Sequence, residues 1–146
     1  MYYQSKHFKV CELVPKSLYD VEGELSILVM DERILWTIDA LRDKFGVPIT
    51  VNNWSSGGSF SQRGFRNDTN VGAPLSQHRY GRACDFDIQG VTAEQFRAMV
   101  KAGELAAELQ FITRIEETNA GKPISWVHVD CANYDKADYG IKFIQA

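Results

Sequence analysis

Apolar residues recur with a helical period in one early segment of the chain. Between residues 31 and 45, DERILWTIDALRDKF has apolar residues at positions 34, 38, 41 and 45, which share one helix face. Asp31 stands at the expected N-cap, and Gly46 follows as a stop signal. The pattern predicts an amphipathic helix over residues 31–45. The β-branched run VPITVNNW then predicts a strand over residues 47–54.

Two further kinds of pattern follow in the second half of the chain. RACDFDI, residues 82–88, alternates like a strand, and the segment 91–109 opens with Thr92 and Gln95 in capping-box spacing, as a helix does. FITRIEET and ISWVHVD flank the turn sequence NAGKP and predict a β-hairpin.

Residues 55–75 separate the two halves and show no periodicity. The segment contains four glycines and a proline, and a loop of this length in a small domain is either functional or disordered. Its aromatic residues, Phe60 and Phe65, and its arginines, Arg63 and Arg66, favour a structured, functional loop.

The order of the predicted elements indicates the fold class. Helix, strand, long loop, strand, helix and hairpin are typical of an α+β domain, with helices packed on one face of a mainly antiparallel sheet. The chain of 146 residues fits one domain, and we assign residues 1–146 to it.

Strand alternation divides the predicted sheet into two chemically different faces. One face collects the apolar residues Cys84, Phe86, Ile88, Val127 and Val129. The opposite face collects Asp85, Asp87, Trp126, His128 and Asp130, with Arg114 and Glu116 from the neighbouring strand. A packed core needs the first set, but it does not explain the second.

Composition and charge narrow the class of partner. The net charge is −3 with scattered basic residues, which argues against a nucleic-acid partner. No run of 18 apolar residues is present, so we expect no membrane-spanning helix. We also expect the protein to be a monomer. The N-terminal residues lack a signal-peptide pattern, which predicts synthesis in the cytoplasm. Three cysteines without CxxC spacing are interpreted as free thiols.

Three residues of the polar face have the character of metal ligands. His78 precedes Asp85 by seven positions across a tight bend, and His128 lies on the other strand. Two histidines and an aspartate suit zinc with one coordination position left open. A hydrogen-bonded surface pair is the alternative interpretation of His78 and Asp85.

The segment SQHRYGRACDFD resembles a known family signature. Ser76, His78, Gly81, Ala83 and Asp85 match the S-x-H-x-x-G-x-A-x-D motif of the zinc D-Ala-D-Ala carboxypeptidase-like peptidases, which share a fold with the Hedgehog signalling domain. WVHVD is similar to the second metal motif of that family. The upstream segments FKVCELVPK and ITVNNW and the glycine-rich loop also resemble its compact bacteriophage and prophage members.

The resemblance implies a zinc-dependent peptidase that hydrolyses a peptide bond in peptidoglycan stem peptides. It implies Zn²⁺ ligation by His78, Asp85 and His128, and action on the cell wall as a carboxypeptidase or an endolysin-type endopeptidase. The alternative is a non-catalytic, Hedgehog-like zinc module in a phage or prophage structural protein. Asp87 and Asp130 are candidates for orienting the ligand histidines.

The general base departs from the family pattern, because Ser125 and Trp126 occupy the positions where relatives carry it. A hairpin loop of three or five residues would place Glu116 beside His128, and a loop of two or four would place Glu117 there. We prefer Glu116, because the apolar residue before it then joins the core face. A base at this position would also favour the enzyme over the non-catalytic module.

An arginine of the glycine-rich loop is expected to contact the substrate. Arg63 and Arg66 are both candidates, because QRGFR does not align cleanly with the family. Arg63 is taken as the first choice for pairing with a substrate carboxylate or an oxyanion.

Overall fold

The computed structural model describes residues 3–134 and 140–146, and it has the α+β architecture expected from the sequence. The helices are α1 (Lys16–Glu22), α2 (Glu32–Phe45) and α3 (Ala93–Lys101). The strands are β1 (Ile49–Thr50), β2 (Ala83–Ile88), β3 (Arg114–Asn119), β4 (Lys122–Pro123), β5 (Val127–Asp130) and β6 (Lys142–Gln145). Short 3₁₀ segments lie at Val10–Glu12, Gly23–Val29, Trp54–Ser56 and Gln77–Tyr80.

The six strands form one sheet whose pairings are antiparallel with a single exception. The order is β1-β2-β5-β3-β4, and β6 pairs in parallel with β3. The pairing of β2 with β5 places Asp85 opposite His128 and Cys84 opposite Val129. The predicted mainly antiparallel sheet and its Hedgehog/DD-peptidase-like architecture are therefore confirmed.

One face of the sheet lies in the hydrophobic core, as strand alternation predicts. Phe86, Ile115 and Val129 are fully buried there, together with Ile34 and Ile38 from α2. Burying apolar surface of this kind contributes about 25 cal/mol per Å². The assignment of residues 1–146 to one domain stays a prediction.

Both long helices begin as the sequence indicates. The Asp31 side chain accepts a hydrogen bond from the Arg33 amide at the start of α2, and Gly46 ends the helix with φ of 66°. Thr92 and Gln95 form the capping box of α3. The predicted extension of this helix to residue 109 is wrong: α3 ends at Lys101, and Gly103 follows with φ of 79°, a conformation that favours glycine.

The strand predicted over residues 47–54 is much shorter than expected. Only Ile49–Thr50 pairs with β2, because Asn52 makes other contacts. The Asn52 side chain donates to the Val14 carbonyl and accepts from the Arg63 amide. These bonds fasten the chain to the N-terminal segment and to the long loop instead of extending the sheet.

The predicted hairpin is present, with an irregularity in its second arm. β3 and β4 pair across a two-residue turn, with Thr118 opposite Pro123. Three residues then separate β4 from β5, and beyond them Arg114 pairs with Asp130. If the β3–β4 register continued, Arg114 would lie opposite Val127. It lies opposite Asp130 instead, so the register shifts by three residues between β4 and β5. This odd shift changes which side of β3 faces the same way as His128.

The cysteine prediction is confirmed for the three thiols. Cys11, Cys84 and Cys131 are all free. Burial raises the pKa of the Cys84 thiol far above its usual value, and burial is also the main reason that the pKa of Cys131 rises to about 12. In the part of the chain that the structure describes, no helix is long and apolar enough to cross a membrane.

Candidate metal centre

The structure brings His78, Asp85 and His128 together in one buried cluster. His78 Nε2 lies 3.2 Å from Asp85 Oδ1, and His128 Nδ1 lies 2.7 Å from the same oxygen. The two imidazole nitrogens are 3.3 Å apart. The three residues are exposed by only 2, 8 and 3 %, respectively, so these polar atoms face one another rather than bulk water.

The spacing of these three atoms fits a small tetrahedral cation. Zinc bonds of about 2.0–2.2 Å in tetrahedral geometry separate neighbouring ligand atoms by about 3.3–3.6 Å. Two of the three separations are 3.2 and 3.3 Å, close to that value, and the third is 2.7 Å. Two imidazole nitrogens and one carboxylate are a donor set that zinc accepts with a fourth position open.

The second nitrogen of each histidine is held by a hydrogen bond. His78 Nδ1 donates to the Gly64 carbonyl at 2.9 Å, and His128 Nε2 donates to Asp130 Oδ2 at 2.9 Å. Arg114 in turn donates hydrogen bonds to Asp130 from Nε and Nη2. These contacts direct Nε2 of His78 and Nδ1 of His128 toward Asp85, which is how outer partners orient metal-binding histidines.

Electrostatics in the cluster favour a carboxylate beside an imidazolium. Burial alone would raise the pKa of Asp85, but His78 and His128 outweigh it and hold that pKa far below its usual range. Burial would likewise lower the pKa of His128, yet its hydrogen bonds to Asp130 and Asp85 raise it to about 10. Both nitrogens of His128 therefore carry protons near neutral pH, and the Nδ1 proton points at Asp85.

The loop before β2 places His78 by local turn chemistry. Ser76 caps the 3₁₀ segment by accepting from the His78 amide, and Gly81 ends it with φ of 69°. A Cβ on Gly81 would also come within 1.8 Å of the Val29 carbonyl. Ser76 and Gly81, two of the matched motif positions, therefore shape the backbone of this turn.

Gly64 is a site residue that the sequence did not reveal. Its carbonyl accepts from His78, and a Cβ at this position would lie 2.1 Å from the Leu13 carbonyl. The flanking backbone is fixed as well, because the Arg63 carbonyl accepts from the Asp85 amide at 2.7 Å. The N-terminal segment, the long loop and two metal-ligand candidates therefore meet at one glycine.

Glu116 lies on the same side of β3 as the cluster. Its Oε2 is 3.7 Å from His128 Nδ1, and its side chain is one-fifth exposed. Burial is the main reason that the pKa of Glu116 is raised, and the nearby Asp85 adds to the rise while His128 opposes it. Glu117 points away and pairs with Lys101 of α3. The catalytic role of Glu116 stays a prediction.

The two candidate arginines have different positions. Arg63 Nη1 donates to Asp87 at 2.9 Å and its guanidinium stacks on Phe60, so the side chain does not line the cavity above the cluster. Arg66, the other candidate, lines that cavity, with Nη2 at 3.6 Å from Asp85 Oδ2. The substrate contact of Arg63 stays a prediction. Loop residues carry no periodicity, so the sequence could not separate the two.

The two aspartates considered for orienting the histidines, Asp87 and Asp130, also have different positions. Asp87 is half exposed and binds Arg63, whereas Asp130 is fully buried and holds His128. Only Asp130 orients a ligand histidine.

An open cavity of about 430 Å³ leads from the cluster to solvent. Glu116 and Trp126 line one part of it, and the loop residues around Gly72 and Leu75 line another. A buried, preorganised group of metal-ligating atoms at the base of such a cavity defines a candidate metallohydrolase centre.

The comparison with protein families agrees with this class. The family model described as Peptidase M15 matches residues 6–130. The chain therefore belongs to the Peptidase M15 family of metallopeptidases, as the resemblance of its motifs predicted. No curated protein and no solved structure gives a significant match.

Metal binding should release a proton and strengthen as the pH rises. His128 must lose its Nδ1 proton to bind zinc, and its pKa in the metal-free protein is about 10. Asp85 is already ionised at neutral pH, so it contributes no proton. We expect about one proton released per zinc at pH 8 and an affinity that rises about tenfold between pH 7.5 and 8.5. Calorimetry in buffers of different ionisation enthalpy measures the proton count.

The matched variants for this titration are His128→Ala and His7→Ala. His7 pairs with Asp43 at the surface, so its loss should leave zinc affinity unchanged. Equal affinities of the two variants would contradict the ligand assignment.

Gly64→Ala should weaken the metal site through the backbone. The new methyl group would have to displace the Leu13 carbonyl, which we expect to cost about 1–3 kcal/mol of stability. It should also lower zinc affinity by about 10- to 100-fold, because the backbone shift moves the carbonyl that orients His78. Gly46→Ala is the control: it strains a positive φ but meets no atom within 4 Å. If both variants lose stability but neither loses zinc affinity, Gly64 does not position His78.

Proposed function

We propose that this protein is a zinc-dependent peptidase that hydrolyses a peptide bond in the stem peptides of peptidoglycan. The observation that carries the proposal is the combination of a buried His78–Asp85–His128 cluster with a cavity-facing carboxylate at Glu116. Membership of the Peptidase M15 family supports the hydrolytic class, and the resemblance of the two motifs supports the substrate.

His78, Asp85 and His128 would hold the ion through Nε2, a carboxylate oxygen and Nδ1, respectively. When bound, zinc supplies Lewis acidity that makes a water molecule more acidic and polarises the scissile carbonyl. Asp130 and Gly64 keep the two imidazoles oriented, so the ligand atoms need little rearrangement. Burial of the three residues keeps bulk water from competing for these atoms.

Glu116 would act as the general base. Its carboxylate lies within the reach of one water molecule from the cluster, because Oε2 is 3.7 Å from His128 Nδ1. Partial burial raises its pKa toward the value that suits proton transfer near neutral pH. The carboxylate would take a proton from the attacking water and deliver it to the leaving amine.

Arg66 would contact the negatively charged part of the substrate or the developing oxyanion. Its guanidinium is mostly buried at the cavity wall, where Nε donates to the Gln62 carbonyl and Nη1 to Ser76. Buried donors that are already oriented stabilise charge more than solvated ones do. The proposal therefore assigns this contact to Arg66, the other arginine that the sequence offered.

The non-catalytic zinc module differs from the enzyme in one testable feature. A module that only binds metal needs no carboxylate facing the ligands, and Glu116 supplies one with a raised pKa. This favours the peptidase. The proposal includes action on the bacterial cell wall by a monomer, with no nucleic-acid or membrane partner and with a phage or prophage setting.

Incubation with purified peptidoglycan tests the function directly. The wild-type protein should release peptide fragments, and mass analysis of the new termini should identify the bond that is cut. A chelator should abolish the release, because the reaction needs the ion at His78, Asp85 and His128. Zinc uptake without any fragment release would support the non-catalytic alternative.

Glu116→Gln should keep the fold and the metal but lose about 10²- to 10⁴-fold in hydrolysis rate, because an amide cannot accept the proton. Glu117→Gln is the matched control, since its side chain leaves the opposite side of the strand and pairs with Lys101. Fragment release and bound zinc should be measured for both. An inactive Glu117→Gln protein beside an active Glu116→Gln protein would refute the assignment of the base.

A further inference from the structure

The loop over residues 69–75 forms one wall of the cavity above the metal centre. Val71, Gly72, Ala73 and Leu75 all line that cavity, as Glu116 does. The proposed mechanism uses none of these residues. They therefore border the space that a peptide bound in the cavity would occupy.

The Arg79 side chain binds the backbone of this loop. Its Nη2 donates to the carbonyls of Thr69 and Val71 at 3.3 and 3.1 Å, and its Nε donates to the carbonyl of Ala73 at 3.2 Å. One guanidinium therefore binds three carbonyls of a single irregular segment. Hydrogen bonds from a charged donor are stronger than neutral ones, so these three contacts stabilise the conformation of the loop.

At Gly72 the loop packs closely against Arg66, the arginine proposed to bind the substrate. Gly72 has φ of 72°, and a Cβ there would come within 2.3 Å of Arg66 Nη1. Arg66 in turn lies 3.6 Å from the metal-ligand candidate Asp85. The wall is thus fixed relative to the reacting centre and not merely near it.

Leu75 is the apolar group that this wall offers at its rim. Its exposed fraction is 77 %, although it lines the cavity. A single exposed leucine is ordinary on a protein surface. Here the residue is carried by a loop fixed at three carbonyls, and it borders the entrance to the metal centre.

We propose that the loop 69–75 is a substrate-binding wall in which Leu75 contacts an aliphatic group of the peptide substrate and Arg79 acts as the positioning residue. The inference rests on the proposed peptidase function and adds an apolar subsite to it. The subsite would favour peptides with a small aliphatic side chain next to the scissile bond. Binding there would remove the exposed leucine surface from water, which is favourable in proportion to the area covered.

Leu75→Ser and Leu28→Ser form a matched pair for the first test. Both residues are exposed leucines, by 77 and 60 %, but Leu28 lies outside the cavity. For Leu75→Ser we expect the concentration of soluble peptidoglycan fragments at half-maximal rate to rise about three- to tenfold, with kcat and bound zinc unchanged. Leu28→Ser should match the wild type. Equal KM values for the two variants, with an active wild type, would overturn the subsite alone.

Arg79→Gln tests the positioning role with and without substrate. Amide hydrogen exchange in residues 69–75 should become at least tenfold faster in the free protein, while zinc affinity stays unchanged. KM should rise as in Leu75→Ser, and kcat should change less than KM. Unchanged exchange would overturn the role of Arg79. If the wild type cuts no peptidoglycan, the function and its subsite both fail, and the exchange experiment still decides whether Arg79 holds the loop.

Discussion

The antiparallel pairing of β2 with β5 is the constraint on which the site depends. It sets Asp85 directly opposite His128, so the two side chains meet on one face without help from any loop. The same register buries Cys84 and Val129 on the other face. Because side chains alternate along a strand, a slip of one residue would move the ligands into the core and the core residues into the cavity. Hydrophobic packing therefore enforces the metal-site register.

Charges buried around this register are arranged so that each has a partner. Asp85 faces two histidines, and Asp130 lies between His128 and Arg114 with no exposure to solvent. An unpaired charge at this depth would be costly, whereas a hydrogen-bonded pair is tolerated. The hydrogen-bonded series Arg114–Asp130–His128 thus has two effects. It gives the buried Asp130 carboxylate its hydrogen-bond partners, and it fixes the direction of the His128 imidazole.

Much of this arrangement can be predicted from the sequence, because strand alternation has a period of two. The two faces, the ligand cluster and the helix caps follow from that period and from turn chemistry. The position of Glu116 does not follow so simply. The tight turn between β3 and β4 alone would have placed Glu117 beside His128, and the irregular residues before β5 reverse the outcome. The contributions of Gly64 and Arg66 depend on loop contacts, which no periodicity encodes.

The double hydrogen bonding of His128 has a consequence for how the protein acquires its ion. Its Nδ1 is hydrogen-bonded to Asp85 and its Nε2 to Asp130, so this buried imidazole has protein partners for both nitrogens without an ion. In zinc fingers, by contrast, the ion is required for the fold itself. Here His128 has partners in the protein itself, so we expect folding and metal binding to be separable. We therefore expect a chain that folds without a cation to keep this cluster assembled and able to bind one later.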